Sequence, residues 1–232
     1  MNRLRPLRWR IETTPVALVS VVRAVPPQAP PLLLCIDRGE NTTAPIRQRF
    51  AATLSSQDWR RHGAYRLQRD RDRFLLGRGV LREFLGCWLK QAPDAVTIAF
   101  GPHGKPFCPG GPEFNLSHSG DLVLLALHPR RAVGVDVEQV RPDLDWEPIA
   151  RRMLGEDVVE AILRRPEQEQ RPAFFQHWCR LEATLKAAGL GLAAAPREVW
   201  RQEDCRHWTL VLAHGYRGCA ALLKPWGDEN VH

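Results

Sequence analysis

The sequence predicts an α+β fold made of two similar lobes, and three observations lead there. Each half of the 232 residues carries several short β-rich runs and one dominant helical stretch. A hydrophobic content of 44%, with Trp 8 and Phe 8, is enough to fill packed cores. The length suits one large domain or two of roughly 100 residues each. The boundary is placed near residue 130, giving lobes 1–130 and 131–232.

Taken in order, residues 16 to 36 hold two β-rich runs, Val16 to Val22 and Leu32 to Ile36, split by the breaker Pro26-Pro27-Gln28-Ala29-Pro30-Pro31. Leu54 to Trp59 places serines ahead of a periodic segment and reads as a helix start. From about Asp70 to Lys90, Phe74, Leu75, Val80, Leu81, Phe84, Leu85 and Trp88 recur at helical spacing. Val96 to Phe100 reads as a strand and Gly101 to Pro112 as a loop. Phe114 to Leu116 and Leu122 to Leu127 read as strands flanking a turn at Ser117-His118-Ser119-Gly120. Beyond the strand around Val135, Leu144 to Leu163 is broadly helical up to Arg165-Pro166. A long helix from Ala173 to about Ala188 stops at Gly189, a residue suited to the C-terminal cap. The tail from Val199 to Leu223 contains Trp208 to Leu212 and Cys219 to Leu223, an antiparallel pair.

A net charge of +7 and a pI near 9.5 favour acidic partners: nucleic acid, phosphate-rich small molecules or acidic proteins. The six cysteines form no Cys-x-x-Cys pair and no zinc spacing, so reduced thiols in a cytoplasmic protein are expected. The N-terminal run MNRLRPLRWRIETTPVALVSVV is basic and then apolar. Thr13, Thr14, Pro15 and Ser20 interrupt it, and it reads as a first strand rather than a secretory leader. No segment reaches the ~20 apolar residues needed to cross a bilayer.

The chemistry concentrates in two stretches. In Gly134-Val135-Asp136-Val137-Glu138, the alternation puts both carboxylates on one face of a strand and the valines on the other. In Trp178 to Lys186, Glu182 and Lys186 stand four apart and share a helix face. Three hard oxygen ligands beside one cation suit magnesium. The plainer readings are a solvated strand edge for Asp136 and Glu138, and a surface helix pair worth ~0.3–0.5 kcal/mol for Glu182 and Lys186. The apolar character of residues 133–137 weighs against a solvated edge, because unpaired charge beside a core is costly.

Upstream, Phe114-Asn115-Leu116-Ser117-His118-Ser119-Gly120 offers hydroxyls, backbone amides and an imidazole able to hold a phosphate. Gly104-Lys105-Pro106 adds a cation, but Ala99 and Pro106 exclude a Walker loop. Arg69, Arg71, Arg73, Arg78 and Arg82 line the first long helix, either as a solvated basic face or as guanidinium forks for a phosphate. Gly189-Leu190-Gly191 follows a helix instead of opening one and is no dinucleotide fingerprint.

The order of these motifs resembles the 4′-phosphopantetheinyl transferases of the larger, surfactin-synthetase-activating type. The matching segments are the arginine-rich helix around Arg73 to Arg78, Gly104 to Pro106, Phe114 to Ser119, Gly134 to Glu138 and Trp178 to Lys186. The resemblance implies two α/β lobes in a pseudo-two-fold arrangement, with coenzyme A bound between them. Its phosphopantetheine arm would pass to a serine of an apo acyl or peptidyl carrier protein, releasing 3′,5′-ADP. It further implies that Asp136, Glu138 and Glu182 hold magnesium, with manganese as an alternative. Lys186 would offset charge on the leaving group, and Glu182 or a water on the metal would take the serine proton. Arg73, Lys105, Ser117 and His118 would grip the 3′-phosphate and adenylate end. A monomer without nucleic-acid or membrane partners is expected. One position departs from the pattern: Leu181 stands where the family usually carries lysine. The competing readings are a metal-dependent nuclease, and a non-catalytic module binding a carrier or nucleic acid.

Overall fold

The computed structural model describes residues 2–8, 15–26, 28–39, 41–191 and 205–224. In chain order the first half contributes β1 (Arg3–Leu4), β2 (Leu7–Arg8), α1 (Pro15–Arg23), β3 (Leu32–Asp37), α2 (Ala44–Ala51), α3 (Ser56–Ala64) and α4 (Gln68–Leu89). A 3-10 turn at Pro93–Ala95 leads to β4 (Ala99–Phe100), β5 (Pro106–Phe107), β6 (Glu113–Ser119) and β7 (Leu122–His128). The rest is β8 (Val133–Gln139), α5 (Glu147–Met153), α6 (Glu156–Leu163), α7 (Glu167–Ala188), β9 (Cys205–Leu210) and β10 (Tyr216–Leu223).

Two four-stranded sheets result, ordered β2-β3-β7-β6 and β1-β9-β10-β8. Side-chain alternation stacks them as the inner layers of a helix–sheet–sheet–helix block. On β7, Val123, Leu125 and Leu127 join the core beneath α4, with Phe84, Leu81 and Phe114. Leu122, Leu124 and Ala126 point the other way and meet Val133, Val135 and Val137 of β8 with Trp208 and Leu222. The outer face of the second sheet packs through Cys219 and Ala221 on Cys179, Ala183 and Ala187 of α7. Each sheet thus has one long helix, as the two-lobe expectation requires. Residues 3–8 serve both, since β1 pairs with β9 and β2 with β3.

Several local expectations are corrected. Val16 to Val22 is helix α1, not a strand: Leu18, Val19 and Val22 fall on one helical face and are buried, so packing overrides the β-preference of the valines. Only Ala99–Phe100 of the expected strand 96–100 pairs, with β5 inside the supposed loop. Ser117 to Ser119 lies within β6, and the turn begins at Gly120. The run 144–163 divides into α5 and α6 around Gly155. Helix α7 starts at Glu167, before the expected Ala173, and accommodates Pro172 near its beginning. Ser55 caps α3 through a capping box with Asp58. Gly189, at φ 73, ends α7 as anticipated. Residues 9–14 and 199–204, parts of the expected first strand and tail, lie outside the described residues.

Candidate active site

Because β8 alternates, its valines enter the core between the sheets while Gly134, Asp136 and Glu138 turn toward α7. Gly134 allows an unusually close approach. A Cβ there would sit 2.0 Å from the Ala183 carbonyl oxygen and 2.4 Å from the Ala187 nitrogen. Glycine on the strand and alanines on the helix therefore bring the α7 backbone against β8. One turn along, Lys186 Nζ donates to Asp136 Oδ1 at 2.6 Å and stands 3.9 Å from Glu182 Oε2.

Strands β6 and β8 lie side by side at the junction of the two sheets, and side chains do the work of main-chain pairing. Asn115 Oδ1 accepts from Val135 N at 2.9 Å, Ser117 Oγ from Val137 N at 3.3 Å and Ser119 Oγ from Gln139 N at 3.0 Å. The two hydroxyls pass their own hydrogens onward, Ser117 to Asp136 Oδ1 and Ser119 to Glu138 Oε2, both at 2.9 Å. Lys186 Nζ also donates to Ser117 Oγ at 3.3 Å. Asn115 and Ser119 lie in the segment read from sequence as a phosphate holder, which gave them no individual role at the site. Their signal was the period-two pattern Asn115-x-Ser117-x-Ser119 in an otherwise apolar strand.

The site carries an excess of negative charge. Asp136, Glu138 and Glu182 face a single bonded ammonium, and burial followed by carboxylate repulsion raises the Glu138 pKa. Burial likewise raises Glu182, with Asp136 and Glu138 adding to the shift against the opposing effect of Lys186. Asp136 Oδ2 is buried without a hydrogen-bond partner. Among the described residues no three His, Cys, Asp or Glu side chains close into a metal cage. The unpartnered Asp136 oxygen and the two mutually repelling glutamates fit a hard cation that takes part of its shell from another molecule.

A positive patch adjoins the acidic one. His118 shares the β6 face of Phe114, and desolvation of its ring, then Arg73 and Lys186, lowers its pKa. Arg73 bonds Asp70 Oδ1 at 2.9 Å, while its Nε is buried and unpartnered. Lys105 is placed differently, donating to the carbonyls of Val133 at 3.2 Å and Ala187 at 3.0 Å. It thereby ties the β4–β5 hairpin to the end of α7, where a cation complements the exposed carbonyls. Leu181 is buried, and Lys186 is the cation that reaches Asp136. Arg180 is about 200° around α7 from Glu182. It lines a separate groove of about 880 Å³ together with His177, His207 and Arg217.

Comparison with known proteins gives the same answer along most of the chain. Residues 132–220 match the 4′-phosphopantetheinyl transferase superfamily and residues 43–130 the 4′-phosphopantetheinyl transferase N-terminal family. The 4′-phosphopantetheinyl transferase HetI of Nostoc sp. is 36% identical over 193 residues, covering 78% of this chain and 81% of its own. The transferase psf-1 of Bacillus pumilus is 33% identical over 185 residues, covering 72% and 78%. AcpT of Salmonella typhimurium is 42% identical over 112 residues, covering 47% and 56%. No helix among the described residues is long and apolar enough to cross a membrane. With site motifs, two-lobed architecture and relatives in agreement, the chain belongs to the 4′-phosphopantetheinyl transferase superfamily and is an enzyme of the transferase class.

Proposed function

We infer that this transferase moves the 4′-phosphopantetheine group of coenzyme A to a serine hydroxyl of an apo acyl or peptidyl carrier protein. The observation that carries the reading is the meeting of Asp136, Glu138, Glu182 and Lys186 at the β6–β8 junction, next to Arg73 and His118. A pyrophosphate flanked by a third phosphate needs both a cation-holding pocket and a cationic grip, and the two patches supply them.

In this reading Asp136, Glu138 and Glu182 would hold magnesium, which would supply positive charge against the pyrophosphate. Arg73, held by Asp70, and His118 take the 3′-phosphate end. Lys105, held by two carbonyls, supports the adenylate side chiefly by fixing the hairpin. The carrier serine oxygen attacks the pantetheine-side phosphorus, the bond to 3′,5′-ADP breaks, and Glu182 accepts the serine proton. Lys186 stays close enough to balance the charge that spreads over the leaving oxygens. All of these groups come from one chain, which suits a monomer.

The test is incubation of the protein with coenzyme A, magnesium and a panel of apo carrier proteins. A phosphopantetheine mass on the carrier serine is expected. A panel of acyl and peptidyl carriers that all stay unmodified overturns the reading.

A further inference from the structure

We propose that Ser119 is a positioning residue that holds the Glu138 carboxylate in its metal-binding orientation. The proposal rests on the reading of Asp136, Glu138 and Glu182 as the magnesium ligands. Ser119 lies on β6, in the other sheet, and touches none of the reacting groups.

A serine hydroxyl has one hydrogen to give and two lone pairs. Ser119 Oγ accepts the Gln139 amide at 3.0 Å, so its single hydrogen is directed to Glu138 Oε2 at 2.9 Å. One hydroxyl is thus fixed between consecutive residues of the facing strand. Polarisation by the amide strengthens its donation to the carboxylate. Among the described residues this hydroxyl is the one hydrogen-bond donor on Glu138, whereas Asp136 is held by both Ser117 and Lys186. Glu138 also sits near the end of β8, where the strand itself restrains it less than Asp136. Without Ser119 no hydrogen bond among the described residues chooses the Glu138 rotamer, and the carboxylate is left to the opposing pulls of Asp136, which repels it, and of Arg141 and Lys186, which attract it. Groups that orient metal ligands typically carry 10–100-fold in affinity.

The test is titration of the intact protein, saturated with coenzyme A, with Mn2+, followed by the electron paramagnetic resonance signal of the free ion against a protein-free coenzyme A control, with no carrier and no turnover required. Ser119→Ala is expected to raise the Mn2+ dissociation constant about tenfold or more. Ser119→Thr, which keeps the hydroxyl, is expected to stay within about threefold of the parent. In a Glu138→Gln background, Ser119→Ala should cost nothing further, because the group it orients is no longer a charged ligand. Thermal melts of every variant establish that it is folded, and Ser119→Cys, of similar volume and a poor donor, replaces the alanine variant if that one fails to fold. A Ser119→Ala protein that binds Mn2+ like the parent overturns the positioning role. An undiminished loss in the Glu138→Gln background does the same. A parent chain that binds no Mn2+ overturns instead the magnesium-site reading beneath it.

Discussion

Gly134→Ala is the smallest change that should disable the site without touching a charged group. The added methyl would lie 2.0 Å from the Ala183 carbonyl oxygen and 2.4 Å from the Ala187 nitrogen, and both are backbone atoms with no rotamer to yield. Helix α7 must retreat by about 1 Å or more to restore an ordinary contact. Overpacking of this kind costs about 1–3 kcal/mol, which for a chain of this length lowers the melting temperature by about 2–12 °C. The chemical cost is larger. The same retreat draws Lys186 from its 2.6 Å bond to Asp136 and shifts Glu182 with it. A displacement of about 1 Å in a reacting group can cost roughly 100-fold in rate. Carrier modification followed by mass spectrometry, beside a thermal melt, reads both effects. A Gly134→Ala protein that melts with the parent and transfers at the parent's rate refutes the claim that helix–strand contact sets the site.

Further expectations follow from other parts of the molecule. Asp136→Ala and Glu182→Ala should keep a native circular-dichroism spectrum while transfer falls by at least about 100-fold; an unchanged rate removes the residue from the site. Chelation by EDTA should stop transfer, and added magnesium should restore it; full activity in EDTA overturns the metal requirement. Asn115→Ala strands the buried Val135 amide and should cost about 1–3 kcal/mol in urea unfolding; an unchanged midpoint and slope would deny the side-chain seam its weight. His128 is fully buried, and burial, then Arg131, lowers its pKa to about 4, while its Nδ1 accepts from the Arg130 and Arg131 amides. The folded state therefore favours neutral imidazole. Its contribution is intact above pH 6.5 and is lost as pH falls toward 4, amounting to about 3 kcal/mol over that window. His128→Asn should flatten the acid side of the stability profile, and a profile identical to the parent's would refute the assignment.

Much of this was legible because the signal was local. The spacing of Phe74, Leu81, Phe84 and Leu85 defines α4, and the alternation at Asp136 and Glu138 places both carboxylates on the face that α7 covers. What escaped depended on distant partners. Val16 to Val22 carries β-branched residues, yet its burial is decided by packing with the helical layer of the first lobe. Ser117 to Ser119 has a loop-like composition, but Ser117 and Ser119 satisfy the amides of a strand some twenty residues downstream, and that keeps the segment extended. Lys105 reads as a free cation in a glycine-rich loop until the end of α7, far along the chain, supplies a carbonyl for it. The three site carboxylates gather in the fold, but the ion pair between Lys186 and Asp136 is a tertiary fact that helix periodicity does not contain.

The order of strands in the second sheet has a consequence for how the enzyme is made. Strand β10 is interior, paired with β9 on one side and β8 on the other, and its Cys219 lies opposite Asp136. During synthesis the first lobe can collapse around α4 while β8 still lacks its main-chain partner. The carboxylate strand is then held by the side chains of β6 and by its valines packed on β7, and α7 has half a sheet to rest on. Catalytic competence should therefore appear late and abruptly on the ribosome, when residues 216–223 emerge and slot between their neighbours.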